Sequence, residues 1–292
     1  MSERAAFVAL QQFCEYDPRP MKLLEEAGFL VRCNTLGRRL RREDMVAYLR
    51  DADAVLAGVE PYDAQMLEQL PRLQCISRCG IGTDAIDFDA ASHQGIRVYT
   101  TVEEVIEPTA QLTVAMVLAL ARNFPQHLGD FRAGKWVKRI GVLLSEWTIG
   151  LVGFGRIGQA VERYLRVFGP RILVADPQRT PEDMPADARL MPLQAVLEAA
   201  DVISLHASRR PDEGPLIGRK ELSMMKHGSY VINTARGPLI DEKALVAALG
   251  QGLIAGAGLD VLETEPPQAD NPLLGMDNVI ITGHTAQFSN HS

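Results

Sequence analysis

The glycines Gly153, Gly155 and Gly158, with Arg156 and Ile157 between the last two, follow directly on an apolar run at residues 149–152. A G-x-G-x-x-G pattern that leaves a strand and opens a helix is the phosphate-binding turn of a dinucleotide site. The first glycine allows the tight turn, the second lets a pyrophosphate approach the backbone, and the third lets helix and strand pack closely. The helix start then offers unpaired N–H groups and positive potential to the phosphates. A second apolar run ends in Asp176, 23 positions after Gly153. A carboxylate at that spacing accepts hydrogen bonds from the adenosine ribose hydroxyls and repels a 2′-phosphate, so NAD is favoured over NADP. Arg179 lies close enough in sequence to soften that repulsion.

Three further polar segments follow apolar runs in the second half of the chain. They are Asn233-Thr234-Ala235-Arg236-Gly237, Asp260-Val261-Leu262-Glu263-Thr264-Glu265 and Gly283-His284-Thr285. In an open parallel sheet, ligands bind beyond the carboxyl ends of the strands, so these groups are expected around one crevice. A bound nicotinamide supplies hydride, and the protein must then supply orientation and a proton. Taken singly, Arg236 also fits a surface ion pair, Glu265 a loop carboxylate and His284 a cap.

The elements that must position these residues alternate along the whole chain. Strands are predicted at residues 6–10, 30–33, 54–57, 75–79 and 96–99, with helices at 21–27, 43–50, 64–70 and 88–93 between them. Residues 101–122 read as one long helix, broken or kinked at Pro108, and 124–133 as another. Alternation resumes with strands at 148–152, 171–175, 202–205, 230–233, 256–260 and 279–282, separated by helices at 156–168, 193–199, 219–225 and 241–249. Strand–helix alternation at this spacing means parallel strands with right-handed crossovers, and so two α/β units in tandem.

Composition narrows the function further. The 292 residues are 47% hydrophobic and 23% charged with a net charge of −7, which fits a globular protein and argues against nucleic-acid binding. The one basic cluster, Arg38-Arg39-Leu40-Arg41-Arg42, runs into Glu43-Asp44 and reads as a solvated helix start. The apolar run 112–121, interrupted only by Thr113, falls short of the ~20 residues that cross a bilayer. No membrane partner is expected, and the first residues carry no signal-peptide pattern. Four cysteines, Cys14, Cys33, Cys75 and Cys79, include no second ligand pair for the last two. That excludes a zinc site and predicts free thiols in a reducing cytoplasm.

The motifs together resemble the D-isomer-specific 2-hydroxyacid dehydrogenases, the family that includes D-3-phosphoglycerate dehydrogenase. The matching segments are Arg78-Cys79-Gly80-Ile81-Gly82-Thr83-Asp84, the glycine turn, residues 233–237, 258–266 and 282–286. The resemblance implies two parallel-sheet α/β domains, Rossmann-like and flavodoxin-like, separated by a cleft. Residues 1–100 plus 284–292 would form the substrate domain and 101–283 the NAD-binding domain. It also implies Arg236, Glu265 and His284 as the catalytic set. Arg236 would hold the substrate carboxylate, His284 would exchange a proton with the substrate oxygen, and Glu265 would fix the imidazole. His206, Thr234, Ala235 and Asp260 would lie at the cofactor. The backbone N–H groups of Gly80, Ile81 and Gly82 would take the substrate carboxylate, with Arg78 beside them, and the chain would form a homodimer through the helix 112–121 and the segment 136–147.

Two departures from the family bear on the substrate and on closure. The family continues past the catalytic histidine with a helix that returns to the first domain, where this sequence has eight residues after His284. That predicts partial exposure of the first domain's core. Where 3-phosphoglycerate enzymes carry basic residues, this sequence reads Ala57-Gly58-Val59-Glu60-Pro61, and Glu60 disfavours a substrate phosphate. The readings carried forward are an NAD-dependent enzyme interconverting a small 2-oxo acid and a D-2-hydroxy acid, 3-phosphoglycerate dehydrogenase among them; a reductase of glyoxylate or hydroxypyruvate type; and an NAD(H)-binding, corepressor-like regulator without useful turnover. The last does not need an acid/base pair.

Overall fold

Parallel strands cannot be joined by tight turns, so each pair of neighbours brings a crossover and the chain builds layers. In the computed structural model, which describes residues 4–11, 13–208 and 213–289, these layers form two units. One comprises residues 1–105 with 289–292, and the other residues 106–288.

The first unit has strands β1 (Arg4–Val8), β2 (Phe29–Cys33), β3 (Ala54–Ala57), β4 (Cys75–Arg78) and β5 (Arg97–Thr100). They pair in parallel in the order β2-β1-β3-β4-β5. Helices α1 (Arg19–Glu26), α2 (Arg42–Leu49), α3 (Ala64–Leu67) and α4 (Phe88–His93) connect them. The core lies on the face carrying Phe7, Val55 and Ile76, packed with Met45, Leu49, Tyr62, Met66 and Leu67. On the opposite face Val31, Leu56 and Cys75 are only half-buried and Tyr99 is exposed. Asp63 and Asp87 start α3 and α4 by accepting the amides of Met66 and Ala90, which satisfies donors that a helix start leaves unpaired. The basic cluster does precede a helix, with the Arg41 amide donating to Asp44.

The second unit has β6 (Thr148–Val152), β7 (Arg171–Ala175), β8 (Ala188–Leu190), β9 (Val202–Leu205), β10 (Ser229–Asn233), β11 (Ile254–Leu259) and β12 (Val279–Ile281). The order β12-β11-β10-β9-β6-β7-β8 is doubly wound, with its direction reversing between β6 and β9. Helices α5 (Ile106–Ala121) and α7 (Arg156–Leu165) pack on one face, and α8 (Leu193–Ala199), α9 (Arg219–Met224) and α10 (Glu242–Gly250) on the other. The α6 helix (Phe124–Arg132) buries none of its residues. With both faces covered, the central strands are apolar almost throughout.

The structure departs from the sequence reading at three places. The long helix begins as α5 at Ile106 behind a 3₁₀ turn, Glu103–Val105, so Pro108 sits in its first turn, where the missing N–H costs nothing and no mid-helix kink forms. The stretch Glu103–Ala121 is apolar enough by length and composition to cross a membrane, but Met116, Val117 and Leu120 are buried in the core of the second unit. The three-residue edge strand β8 carries too short a pattern to read from sequence.

The domain boundaries also shift. Residues 284–288 stay with the second unit rather than the first, because the His284 amide donates to the Asp260 carbonyl and those of Thr285 and Ala286 to its carboxylate. Residues 290–292 of the expected segment lie outside the described residues.

Candidate active site and dinucleotide cradle

The glycine turn connects β6 to α7 as its spacing requires. Gly153 has φ of +93°, and a Cβ there would meet the His206 carbonyl at 2.6 Å. A Cβ on Gly158 would collide with the Gly153 carbonyl oxygen, while one on Gly155 would meet nothing within 4 Å. The turn is therefore tight against β9 on one side and open at its middle glycine. Gly155 precedes α7 without a side-chain cap, and Arg156, Ile157 and Gly158 form the first turn of the helix.

Asp176, at the end of β7, accepts the Phe154 amide at 2.7 Å and the Gln178 amide at 2.8 Å, while Arg179 Nε donates to the Phe154 carbonyl at 3.1 Å. The Asp176 carboxylate is thus fixed to the glycine turn. Behind the turn, His206 is half-buried, and desolvation holds its pKa down to about 4, so the imidazole is neutral. Its Nε2 lies 2.9 Å from Ser204 Oγ, and its Nδ1 has no hydrogen-bond partner among the described residues. The open middle glycine, the uncapped helix and this orphaned nitrogen fit a dinucleotide.

The predicted catalytic residues come together in the second unit. A pocket of about 410 Å³ is lined by Arg236, Gly237, Pro238, Glu265 and His284, with Val261, Leu262 and Glu263. Glu265 Oε2 lies 2.6 Å from His284 Nδ1, and its Oε1 accepts the Leu262 amide at 3.0 Å. Burial pushes the Glu265 carboxyl upward, but the hydrogen bonds from His284 and Leu262 and the charges of His284 and Arg236 outweigh it and hold it below its ordinary value. It therefore stays ionised and engages Nδ1, leaving Nε2 as the other ring nitrogen. Arg236 leaves β10 on a turn held by Asn233, whose side chain donates to the Arg236 carbonyl at 2.8 Å and accepts the Ala235 amide at 3.1 Å. Gly237 is needed because any Cβ there would strike the Leu262 carbonyl of the neighbouring loop.

Several predicted residues do other work. Asp260, expected at the cofactor, is 1% exposed, and its carboxylate is taken up by the Thr282 hydroxyl and the amides of Thr285 and Ala286 at 2.9 and 3.0 Å. It holds the catalytic histidine's loop. The Thr234 hydroxyl lies 2.8 Å from that of Thr113 and anchors the β10 end to α5. The Ala235 carbonyl accepts Arg236 Nη1 at 2.7 Å, and the Ala235 side chain packs against the core of the unit.

In the first unit, the Gly80 amide is spent on Thr101 Oγ1 at 2.7 Å, while those of Ile81 and Gly82 have no partner among the described residues. Arg78, expected beside the substrate, is 5% exposed, and its Nε donates to the Gly82 carbonyl at 3.0 Å. Among the described residues no group of three His, Cys, Asp or Glu side chains fits a metal ion. Asn233 and Thr282, which hold the turns of Arg236 and His284, were singled out in the sequence only as members of their segments and with no role of their own.

Comparison with known proteins agrees with this geometry. Residues 114–286 match the model of the D-isomer specific 2-hydroxyacid dehydrogenase NAD-binding domain. The chain belongs to that family. Its cofactor is NAD. The chain is 37% identical over 270 residues to a D-3-phosphoglycerate dehydrogenase of Methanocaldococcus jannaschii, covering 90% of this chain and 50% of that protein. It is also 37% identical over 257 residues to a glyoxylate reductase of Korarchaeum cryptofilum, covering 85% and 77%. The chain thus spans half of the first relative and about three quarters of the second. Among solved structures, the TT0316 protein of Thermus thermophilus superposes with a TM-score of 0.88 at 33% identity, covering 98% of this chain and 91% of that one.

Asp176 generates a prediction. Asp176→Ala should narrow the ratio of NADH to NADPH affinity by about tenfold, because a carboxylate no longer repels the 2′-phosphate. Titration of both nucleotides by protein fluorescence checks this, and an unchanged ratio removes Asp176 from the role.

Proposed function

We propose that the protein reduces a small, unphosphorylated 2-oxo acid to the D-2-hydroxy acid, or runs the reverse, with NAD(H). The observation that carries this is the 2.6 Å contact between Glu265 and His284 Nδ1 in a pocket that also holds Arg236. A protein that only senses NAD(H) needs a nucleotide cradle, not an ionised carboxylate aligned on an imidazole with a guanidinium alongside.

Residues of the glycine turn, Asp176 and the neutral His206 would hold the dinucleotide. When bound, NADH supplies the hydride and NAD accepts it. Arg236 binds the substrate carboxylate and draws electron density toward the carbonyl oxygen. Protonated His284 donates from Nε2 to that oxygen during reduction and takes the proton back during oxidation. Glu265 stabilises the charged imidazole before the proton leaves. The unphosphorylated substrate is supported in the first unit. Glu60 is 3% exposed and accepts the Gly58 amide at 2.8 Å at the carboxyl end of β3, and the neighbouring Arg78 is buried.

The test is NADH oxidation with glyoxylate, pyruvate, hydroxypyruvate and phosphohydroxypyruvate. Turnover is expected on an unphosphorylated acid, and His284→Ala should lower it roughly 10²–10⁴-fold while NADH still binds. A preference for phosphohydroxypyruvate overturns the substrate class. Absence of turnover on all four, with NADH bound, favours the regulatory reading.

A homodimer and a cytoplasmic location belong to the same proposal. The four cysteines are free, as a reducing compartment requires. Phe124, Leu128 and Phe131 on α6, with Trp136, Ile140 and Leu143 after it, are exposed, Ile140 at 95%. Apolar residues so concentrated favour burial against a second copy. Sedimentation equilibrium should give twice the chain mass of 32.1 kDa, and the monomer for Trp136→Glu/Ile140→Glu. A wild-type monomer at micromolar concentration contradicts it.

A further inference from the structure

The loop that follows β4 in the first unit is built around a buried charge. Arg78 ends the strand, is 5% exposed, and its Nε donates to the Gly82 carbonyl at 3.0 Å. Thr101 holds the start of the loop through the Gly80 amide at 2.7 Å. Tyr62 holds its far end, donating its amide to the Ala85 carbonyl at 2.7 Å and accepting the Asp87 amide at 3.0 Å. The Tyr62 side chain is fully buried and its hydroxyl has no hydrogen-bond partner among the described residues. It lies within electrostatic reach of Glu60 and Arg78. Three polar side chains thus crowd beneath a loop whose Ile81 and Gly82 amides have no partner among the described residues.

Burying a guanidinium costs more than hydrophobic residues of the same volume would, so its use here calls for a return other than stability. The Gly82 carbonyl supplies one. With its carbonyl drawn down onto Arg78, the peptide plane that follows Gly82 is fixed. With the Gly80 amide drawn onto Thr101, so is the plane that enters Gly80. The unpartnered amides lie between two fixed points, and a backbone donor pair held in place binds a carboxylate without first losing its own conformational entropy.

We propose that Arg78 is a positioning residue that clamps the Gly80-Ile81-Gly82 backbone from beneath, with Thr101 as the second clamp, and does not itself touch substrate. This rests on the reading of that loop as the holder of the substrate carboxylate. The loop clamp and that reading are separable by experiment.

Amide hydrogen exchange of the full chain without ligands, resolved at Tyr62, Gly80, Ile86 and Asp87, tests the clamp directly. Arg78→Met, which keeps the apolar stem, should speed exchange at these amides about tenfold or more, with β10 and β11 unchanged. Arg78→Lys should restore part of the protection, because an ammonium also donates to a carbonyl. Thr101→Val, nearly equal in shape, should speed exchange at Gly80 in the same way and serves where Arg78→Met does not fold. Unchanged loop exchange in a folded Arg78→Met, or in Thr101→Val where it stands in, overturns the clamp. On the substrate side, Arg78→Met should raise KM for the 2-oxo acid about tenfold with NADH affinity unchanged. Faster exchange with an unchanged KM overturns the substrate role. A wild-type protein without turnover refutes the functional reading, and exchange alone then decides the clamp.

Discussion

The buried carboxylate of Asp260 is the constraint on which the reacting end of the molecule depends. It terminates β11 and accepts from the Thr282 hydroxyl and two successive loop amides, while its own carbonyl accepts the His284 amide at 2.8 Å. These bonds over-determine the turn after β12 and hold His284 at φ of +56°, a left-handed conformation that a histidine seldom adopts. From there Nδ1 meets Glu265. The strain at one residue is offset by hydrogen bonds to an acid that the solvent does not reach. Asp260 thus holds the loop that carries His284 through backbone amides.

The sheet explains why these loops are neighbours at all. Parallel strands present all their carboxyl ends on one side, so the loops after β9, β10, β11 and β12 emerge together. Reversal of the strand order between β6 and β9 opens the sheet at the glycine turn, with His206 on the far side of it. A nucleotide cradle and an acid/base pair are thereby served by one rigid layer, and the short polar segments between elements supply the chemistry. The close approach of the Gly237 and Leu262 loops shows how little room that arrangement leaves.

Much of this was legible in the sequence for physical reasons. Periodicity shows elements long enough to repeat, and glycine spacing shows a turn that no other residue tolerates. Arg236, Glu265 and His284 were recognisable as a set only through the resemblance to the family, since each alone has a bland use. What stayed hidden depends on distance between segments far apart in the chain. Asp260 reads as one more strand-end acid until Thr285 and Ala286 are seen to donate to it. Arg78 reads as a cation for substrate until its burial is known. The edge strand β8 is too short for a pattern, and Pro108 signals a break equally well whether it lies inside a helix or in its first turn.

The central claim is that Glu265 acts through His284 and not on substrate directly. A double-mutant cycle on turnover tests it, with Glu265→Gln, His284→Ala and the double variant compared with the wild type. If the carboxylate serves only the imidazole, its loss changes nothing once the imidazole is gone, and the double variant should be as slow as His284→Ala to within about twofold. Losses that multiply would show Glu265 working independently of His284, and would contradict the account.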